Sequence, residues 1–150
     1  MITLRDAIEY AMYAHKEQKD KQGRLYYLHC LRVMLAMDTE EEMIVAVIHD
    51  VFEDTDEELI WYKDYFPDTM SAEIFNAIDA ITRRKNEKYR DYIIRVSKNE
   101  LAKKVKIADL RDNLSTIDQI KDEYPHLEGR YREALSYLLT CHCEVVKNEA

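Results

Sequence analysis

Glycine and proline are nearly missing from this chain, two of each in 150 residues. Average usage is about 7% and 5%, and proteins built of many short strands need both residues at their turns. Their scarcity argues against sandwiches and barrels and points to helices. Cysteine is sparse too. Cys30, Cys141 and Cys143 make an odd number without paired spacing, so no disulfide framework is expected and the thiols are read as reduced. No apolar run approaches the roughly 20 residues that span a bilayer, and the N-terminal residues do not resemble a signal peptide. The expectation is a soluble, cytoplasmic protein with no membrane partner. An excess of positive charge is also missing: 22 Lys and Arg stand against 30 Asp and Glu, a net charge of −8. Polymeric nucleic acid normally requires a basic face, so DNA and RNA are not expected partners. Two small basic clusters remain, Lys19, Lys21 and Arg24, then Arg83, Arg84, Lys85, Lys88 and Arg90. Patches of that size suit either solvated loops and helix ends or a small anionic ligand, and charge alone does not decide between them.

What the chain does have is helical periodicity over a length that suits one domain, 1–150. Thr3 caps a first helix to about residue 18, with Leu4, Ala7, Ile8, Ala11 and His15 along one stripe. Gly23 marks a loop over about 19–26. A second helix over 27–37 carries His29 near its start. Thr39 and Glu42 have capping-box spacing, so the apolar stretch from Met43 to Ile48 reads as the middle of a helix over 40–52. Further helices are expected over 56–66, ended by Pro67, then from Ser71 to 82, over 89–97, over 101–117, and over 126–147 after Pro125. The predicted fold is an all-α compact bundle of seven or eight helices.

The chemistry concentrates where that pattern is violated. His49-Asp50, followed by Glu53-Asp54, ends the most apolar stretch of the chain. Desolvating four ionisable groups there costs several kcal/mol each unless a cation or mutual pairing offsets it. His49 and Glu53 are four apart, as are Asp50 and Asp54, so a continuous helix presents each pair on one face. On a later helix the stripe Leu101, Val105, Ala108 turns polar at Asp109, Asn113 and Thr116. Two imidazoles and two carboxylates form a mixed nitrogen and oxygen set suited to an octahedral divalent ion such as Mn²⁺ or Fe²⁺, with positions left for water and a substrate oxygen.

These segments are similar to a known family. Ala14-His15, Gly23 with Tyr26 and His29, His49-Asp50-Val51-Phe52-Glu53-Asp54-Thr55, and the run from Lys106 to Thr116 containing Asp109 and Asn113 resemble, in order, the HD superfamily of metal-dependent phosphohydrolases. Within it they resemble the hydrolase domain of Rel/Spo-type alarmone enzymes and their small stand-alone relatives. The resemblance implies an HD-domain bundle with metal ligation by His29, His49, Asp50 and Asp109. It implies that Glu53 and Asp54 position and activate the attacking water, that Asn113 and Thr116 line the nucleotide pocket, and that Lys19 faces substrate phosphate. Lys21 and Arg24 are expected to offset phosphate charge beside it, and Tyr26 to offer an aromatic face. The implied cofactor is a divalent metal, Mn²⁺ first, with Fe²⁺, Mg²⁺ or Zn²⁺ as alternatives. The implied activity is hydrolysis of a small phosphorylated nucleotide, first of all removal of the 3′-pyrophosphate of (p)ppGpp. Another nucleotide phosphate, or a catalytically weak nucleotide-sensing module, is the alternative. The chain departs from the family around its motifs, reading Arg24-Leu25 before Tyr26, Cys30 after the first histidine, and Leu110-Arg111-Asp112 between Asp109 and Asn113.

Three tempting features are read without chemistry. His15 lies on an apolar stripe and is expected to be a core histidine with its hydrogen bonds met. Cys141-His142-Cys143 cannot converge on one ion, because consecutive helical residues point about 100 degrees apart. Tyr131, Leu135, Leu138, His142 and Val145 follow the spacing of a packing stripe, against the core or a second subunit, which leaves a homo-oligomer open.

Overall fold

The computed structural model describes residues 1–54 and 69–148, and of residues 54 and 142–148 the backbone alone. Among the described residues the chain is all α, as the scarcity of turn residues predicts. The elements are α1 (Leu4–Ala14), α2 (Tyr27–Leu35), α3 (Glu40–Ile48), α4 (Val51–Asp54), α5 (Ala72–Ile81), α6 (Tyr89–Ser97), α7 (Glu100–Ser115), a 3₁₀ turn (Ile117–Gln119) and α8 (Leu127–Asn148). The helix expected over 56–66 lies outside the described residues. None of the described helices is long and apolar enough to cross a membrane.

Side-chain caps start the helices. Thr3 with Asp6, and Thr39 with Glu42, form reciprocal capping boxes, Ser71 accepts from the Ile74 amide, and the Asn99 side chain accepts from the Ala102 amide. Each such cap supplies an acceptor for an orphan N–H of the first turn, worth about 1 kcal/mol. Two ends differ from expectation. α1 stops at Ala14 rather than near residue 18, because His15 turns the chain and its Nδ1 bonds to the Gln18 Oε1 at 2.7 Å. The helix expected over 40–52 is interrupted at His49 and Asp50, which form a turn between α3 and α4. The cause is local: His49 Nδ1 donates to the Ala46 carbonyl at 2.6 Å, the carbonyl that a continuing helix would give to the Asp50 amide.

α3 occupies the centre of the bundle, in contact with α1, α2, α5 and α7. Ile44, Val45, Ala46, Val47 and Ile48 are all buried, so the second half of this helix is apolar on every side, as an interior segment must be. Its C-terminal end therefore delivers His49 and Asp50 from the deepest part of the core. α2 and α7 flank that end and bring the other polar residues to it.

A second polar device ties α5 to α6. Arg95 donates to the carbonyls of Asp79, Ala80 and Thr82, near the end of α5, and pairs both carboxylate oxygens of Glu87 at 2.8 and 3.0 Å. The Arg95 hydrogen bond is the largest influence on Glu87, whose pKa is lowered to about 2. A carboxylate whose folded pKa lies below its unfolded value near 4.3 stabilises the fold above that value, and the contribution is lost as pH falls through 2. Glu87→Gln is expected to flatten the acid side of the thermal stability profile between about pH 4.5 and 2. Arg95→Ala is expected to cost about 2 to 3 kcal/mol at neutral pH by urea denaturation, and an unchanged midpoint would refute the tie.

Candidate metal centre

Four groups from three segments meet below a surface cleft. His29 comes from α2, His49 and Asp50 from the turn after α3, and Asp109 from α7. One ligand atom from each lies within 4.8 Å of all the others, with His29, His49 and Asp109 buried. His29 Nε2 is 2.9 Å from Asp109 Oδ1 and 3.6 Å from Asp50 Oδ2, and His49 Nε2 is 2.9 Å from Asp50 Oδ2 and 3.4 Å from Asp109 Oδ1. An octahedral ion with bonds of about 2.1 Å separates adjacent ligand atoms by roughly 3 Å, so these spacings fit the edges of such a shell.

The tautomers fit as well. His49 Nδ1 faces the Ala46 carbonyl, and His29 Nδ1 faces Asp112 Oδ2 at 2.6 Å. Both Nδ1 atoms then carry the proton and both Nε2 lone pairs turn inward, the arrangement of ligating histidines. His49 Nε2 is buried and, despite its nearness to Asp50, has no aligned hydrogen-bond partner among the described residues. A buried nitrogen so placed calls for something else to bond. The cluster can hold one divalent cation.

Without one, protons balance the charges. Burial works to lower the pKa of His29, but hydrogen bonds to Asp109 and Asp112 and the neighbouring carboxylate charges outweigh it and lift it to about 9. Burial likewise opposes a charged His49, and the nearby carboxylates of Asp50 and Asp109 outweigh it and lift its pKa well above the usual value. Burial disfavours the charge on Asp109, yet Lys106 and the two imidazoles hold its pKa well below the usual range. Both imidazoles are thus protonated at pH 7 and must lose those protons to ligate. Cation binding at pH 7 is expected to release about two protons and to tighten as pH rises toward 9. Calorimetry in buffers of different ionisation enthalpy reads that number, and a buffer-independent heat would contradict it.

The cleft above the cluster has a volume of 340 Å³ and reaches Lys19, Lys21, Arg24, Tyr26, Glu53, Asn113 and Thr116 as well as three of the four clustered groups. His49 lies behind its floor. The basic residues sit on a loop shaped by Asp20, whose Oδ1 accepts from the amides of Gln22 and Arg24, both at 2.9 Å. Gly23 there has φ +81°, a conformation side chains rarely adopt. Arg24 pairs with Asp20 at 3.0 Å. Gln22 reaches across to the end of α7, where its Nε2 donates to the Thr116 hydroxyl at 3.2 Å. Asn113 Nδ2 donates to Asp109 Oδ1 at 3.1 Å. Tyr26 lines the cleft, but its hydroxyl donates to Asp50 Oδ2 at 2.6 Å and its ring lies between His15 and His29, with centroids 5.0 and 5.6 Å away. Glu53 faces the cleft and accepts from the Arg83 amide at 3.1 Å. The Asp54 side chain lies outside the described residues. His15 is buried as expected, although only its Nδ1 is bonded, Nε2 having no partner among the described residues.

Several further residues line or back the cleft without standing out in the sequence. Lys106 Nζ bonds to Asp109 Oδ2 at 2.8 Å, leaving Oδ1 to face the imidazoles. Asp112 and Arg32 stand behind His29. The Arg130 guanidinium lies 3.9 Å from the Tyr89 ring centroid, with that of Arg83 at 5.5 Å. Lys106 and Asp112 lie three residues before and after Asp109, so the spacing that singled out Asn113 reaches both.

A known protein shares this fold. The solved structure of a metazoan orthologue of SpoT that hydrolyses ppGpp superposes with a TM-score of 0.66 over 98% of this chain and 95% of that one, at 22% identity. The chain shares that protein's fold. No family model matches it. In sequence, this chain is 32% identical over 127 residues to a guanosine-3′,5′-bis(diphosphate) 3′-pyrophosphohydrolase of Aquifex aeolicus, covering 78% of this chain and 18% of that protein. It is 29% identical over 118 residues to a protein of the same name from Drosophila melanogaster, covering 73% of this chain and 66% of that one. A GTP pyrophosphokinase of Myxococcus xanthus is 25% identical over 139 residues, of which the match covers 18% of the longer protein. This chain thus spans under a fifth of the Aquifex and Myxococcus proteins.

Proposed function

We propose that this domain is a metal-dependent phosphohydrolase that removes the 3′-pyrophosphate of (p)ppGpp, with Mn²⁺ as its cation. The observation that carries the reading is the meeting of His29, His49, Asp50 and Asp109 at the floor of a cleft that also holds Glu53 and a basic loop. Two relatives named for that reaction support the choice of substrate.

In this reading His29, His49, Asp50 and Asp109 hold the cation, which supplies Lewis acidity toward a phosphoryl oxygen and acidifies a bound water when present. Glu53, at the cleft wall, takes the proton of the attacking water and aims its oxygen, with Asp54 beside it in sequence. The Arg83 amide donates to one Glu53 oxygen and orients the carboxylate. Lys19 and Lys21 draw the phosphates in and offset charge that builds on the departing pyrophosphate. Arg24 contributes less, because Asp20 engages it. Asn113 and Thr116 line the nucleotide side, and a nucleotide that bonds to Thr116 replaces its bond from Gln22. Tyr26 steadies Asp50 through its hydroxyl. Water cleaves the link between the 3′-oxygen and its pyrophosphate, so the products are pyrophosphate and a guanosine 5′-phosphate ester.

Incubating the Mn²⁺-loaded protein with ppGpp and resolving the products by anion exchange tests this. Guanosine 5′-diphosphate and pyrophosphate in equal amounts are expected. Release of orthophosphate, or turnover only of other nucleotides in a parallel panel, would overturn the choice of substrate.

A further inference from the structure

We propose that Asp112 is a positioning residue for the cation, holding His29 in its ligating orientation while Arg32 holds Asp112. The inference rests on the cation-site reading above. α7 grips one imidazole at both nitrogens: Asp109 Oδ1 lies 2.9 Å from His29 Nε2, and Asp112 Oδ2 lies 2.6 Å from His29 Nδ1. Asp109 and Asp112 are three residues apart on α7, so they share a face and straddle the ring. His29 and Arg32 are likewise three apart on α2. Arg32 donates through Nε to Asp112 Oδ1 at 2.9 Å and through Nη2 to Asp112 Oδ2 at 3.1 Å. The two oxygens of one carboxylate are therefore occupied by three donors, and Asp112 has no freedom to turn away from the ring.

The two histidines are held differently. A neutral carbonyl, that of Ala46, orients His49 within its own helical segment. An anion from another helix orients His29. A carboxylate behind a ligating imidazole fixes its tautomer and raises its strength as a donor, and losing such a partner typically weakens metal binding 10- to 100-fold. An ordinary ion pair between α2 and α7 would do neither, since its removal would loosen the helices and leave the cation's affinity alone.

Mn²⁺ binding by isothermal titration calorimetry on the full chain separates the two, with thermal melting of the metal-free proteins alongside. Asp112→Ala is expected to weaken Mn²⁺ about 10- to 100-fold. Asp112→Asn keeps an oxygen acceptor of the same shape without charge and is expected to fall between Asp112→Ala and wild type. Arg32→Ala should weaken binding less than Asp112→Ala. If Asp112→Ala does not fold, Asp112→Asn decides. Wild-type affinity in a folded Asp112→Asn that melts lower, or equal losses in melting temperature with no change in Mn²⁺ affinity, would overturn the proposal. A wild-type protein that takes up no Mn²⁺ would instead overturn the cation site itself.

Discussion

Replacing Asp109 by asparagine is expected to strip the protein of its cation, weakening Mn²⁺ by more than about 100-fold, since loss of a ligand exceeds the 10- to 100-fold cost of losing a partner behind one. Asparagine is preferred to alanine here because Asp109 has a second burden. Its Oδ2 pairs with Lys106, whose Nζ lies 2.8 Å away and is only 12% exposed. Alanine would leave that ammonium buried without a partner, at a cost of about 3 to 5 kcal/mol, and loss of metal would be confounded with loss of fold. The amide keeps one oxygen, which can still accept from Lys106, while removing the negative charge. Elemental analysis after desalting should find about one ion per wild-type chain and almost none in the variant, with far-ultraviolet dichroism unchanged. Equal metal in both would remove Asp109 from the site.

Glu53→Gln is expected to give the opposite pattern, full metal with turnover of ppGpp reduced about 10²- to 10⁴-fold, the usual contribution of a positioned general base. Glutamine keeps the oxygen that accepts from the Arg83 amide, so the wall of the cleft should hold its shape while the proton acceptor is lost. The loss should fall on kcat, because the group acts on the water rather than on nucleotide binding. Unchanged kcat would take the proton-accepting role away from Glu53.

How far these residues could be read without coordinates depends on the range of the forces involved. Caps are local, so Thr3, Thr39 with Glu42, and Ser71 announced helix starts that the structure contains. The fold class followed from missing turn residues, and the polar breaks in apolar stripes singled out His49, Asp50 and Asp109. The interruption after Ile48 was not legible, because apolar periodicity runs through it and a single side-chain bond to the Ala46 carbonyl decides the matter. The roles of Asp112 and Arg32 were not legible either. On their own helices they resemble solvated charges, and only the crossing of α2 and α7 gives them partners. The expectation for Tyr26 named the right neighbourhood, but its hydroxyl bonds to Asp50, 24 residues away, a contact that no local pattern encodes.

The central position of α3 has a consequence for ion preference. Because His49 and Asp50 are carried on the tip of a rod clamped by hydrocarbon on all sides, the gap between them and the residues of α2 and α7 is set by the bulk of side chains such as Val45 and Val47. Trimming a methyl group from that rod would shift its tip, and the shell would then favour an ion of a different radius without any change in the atoms that bind it.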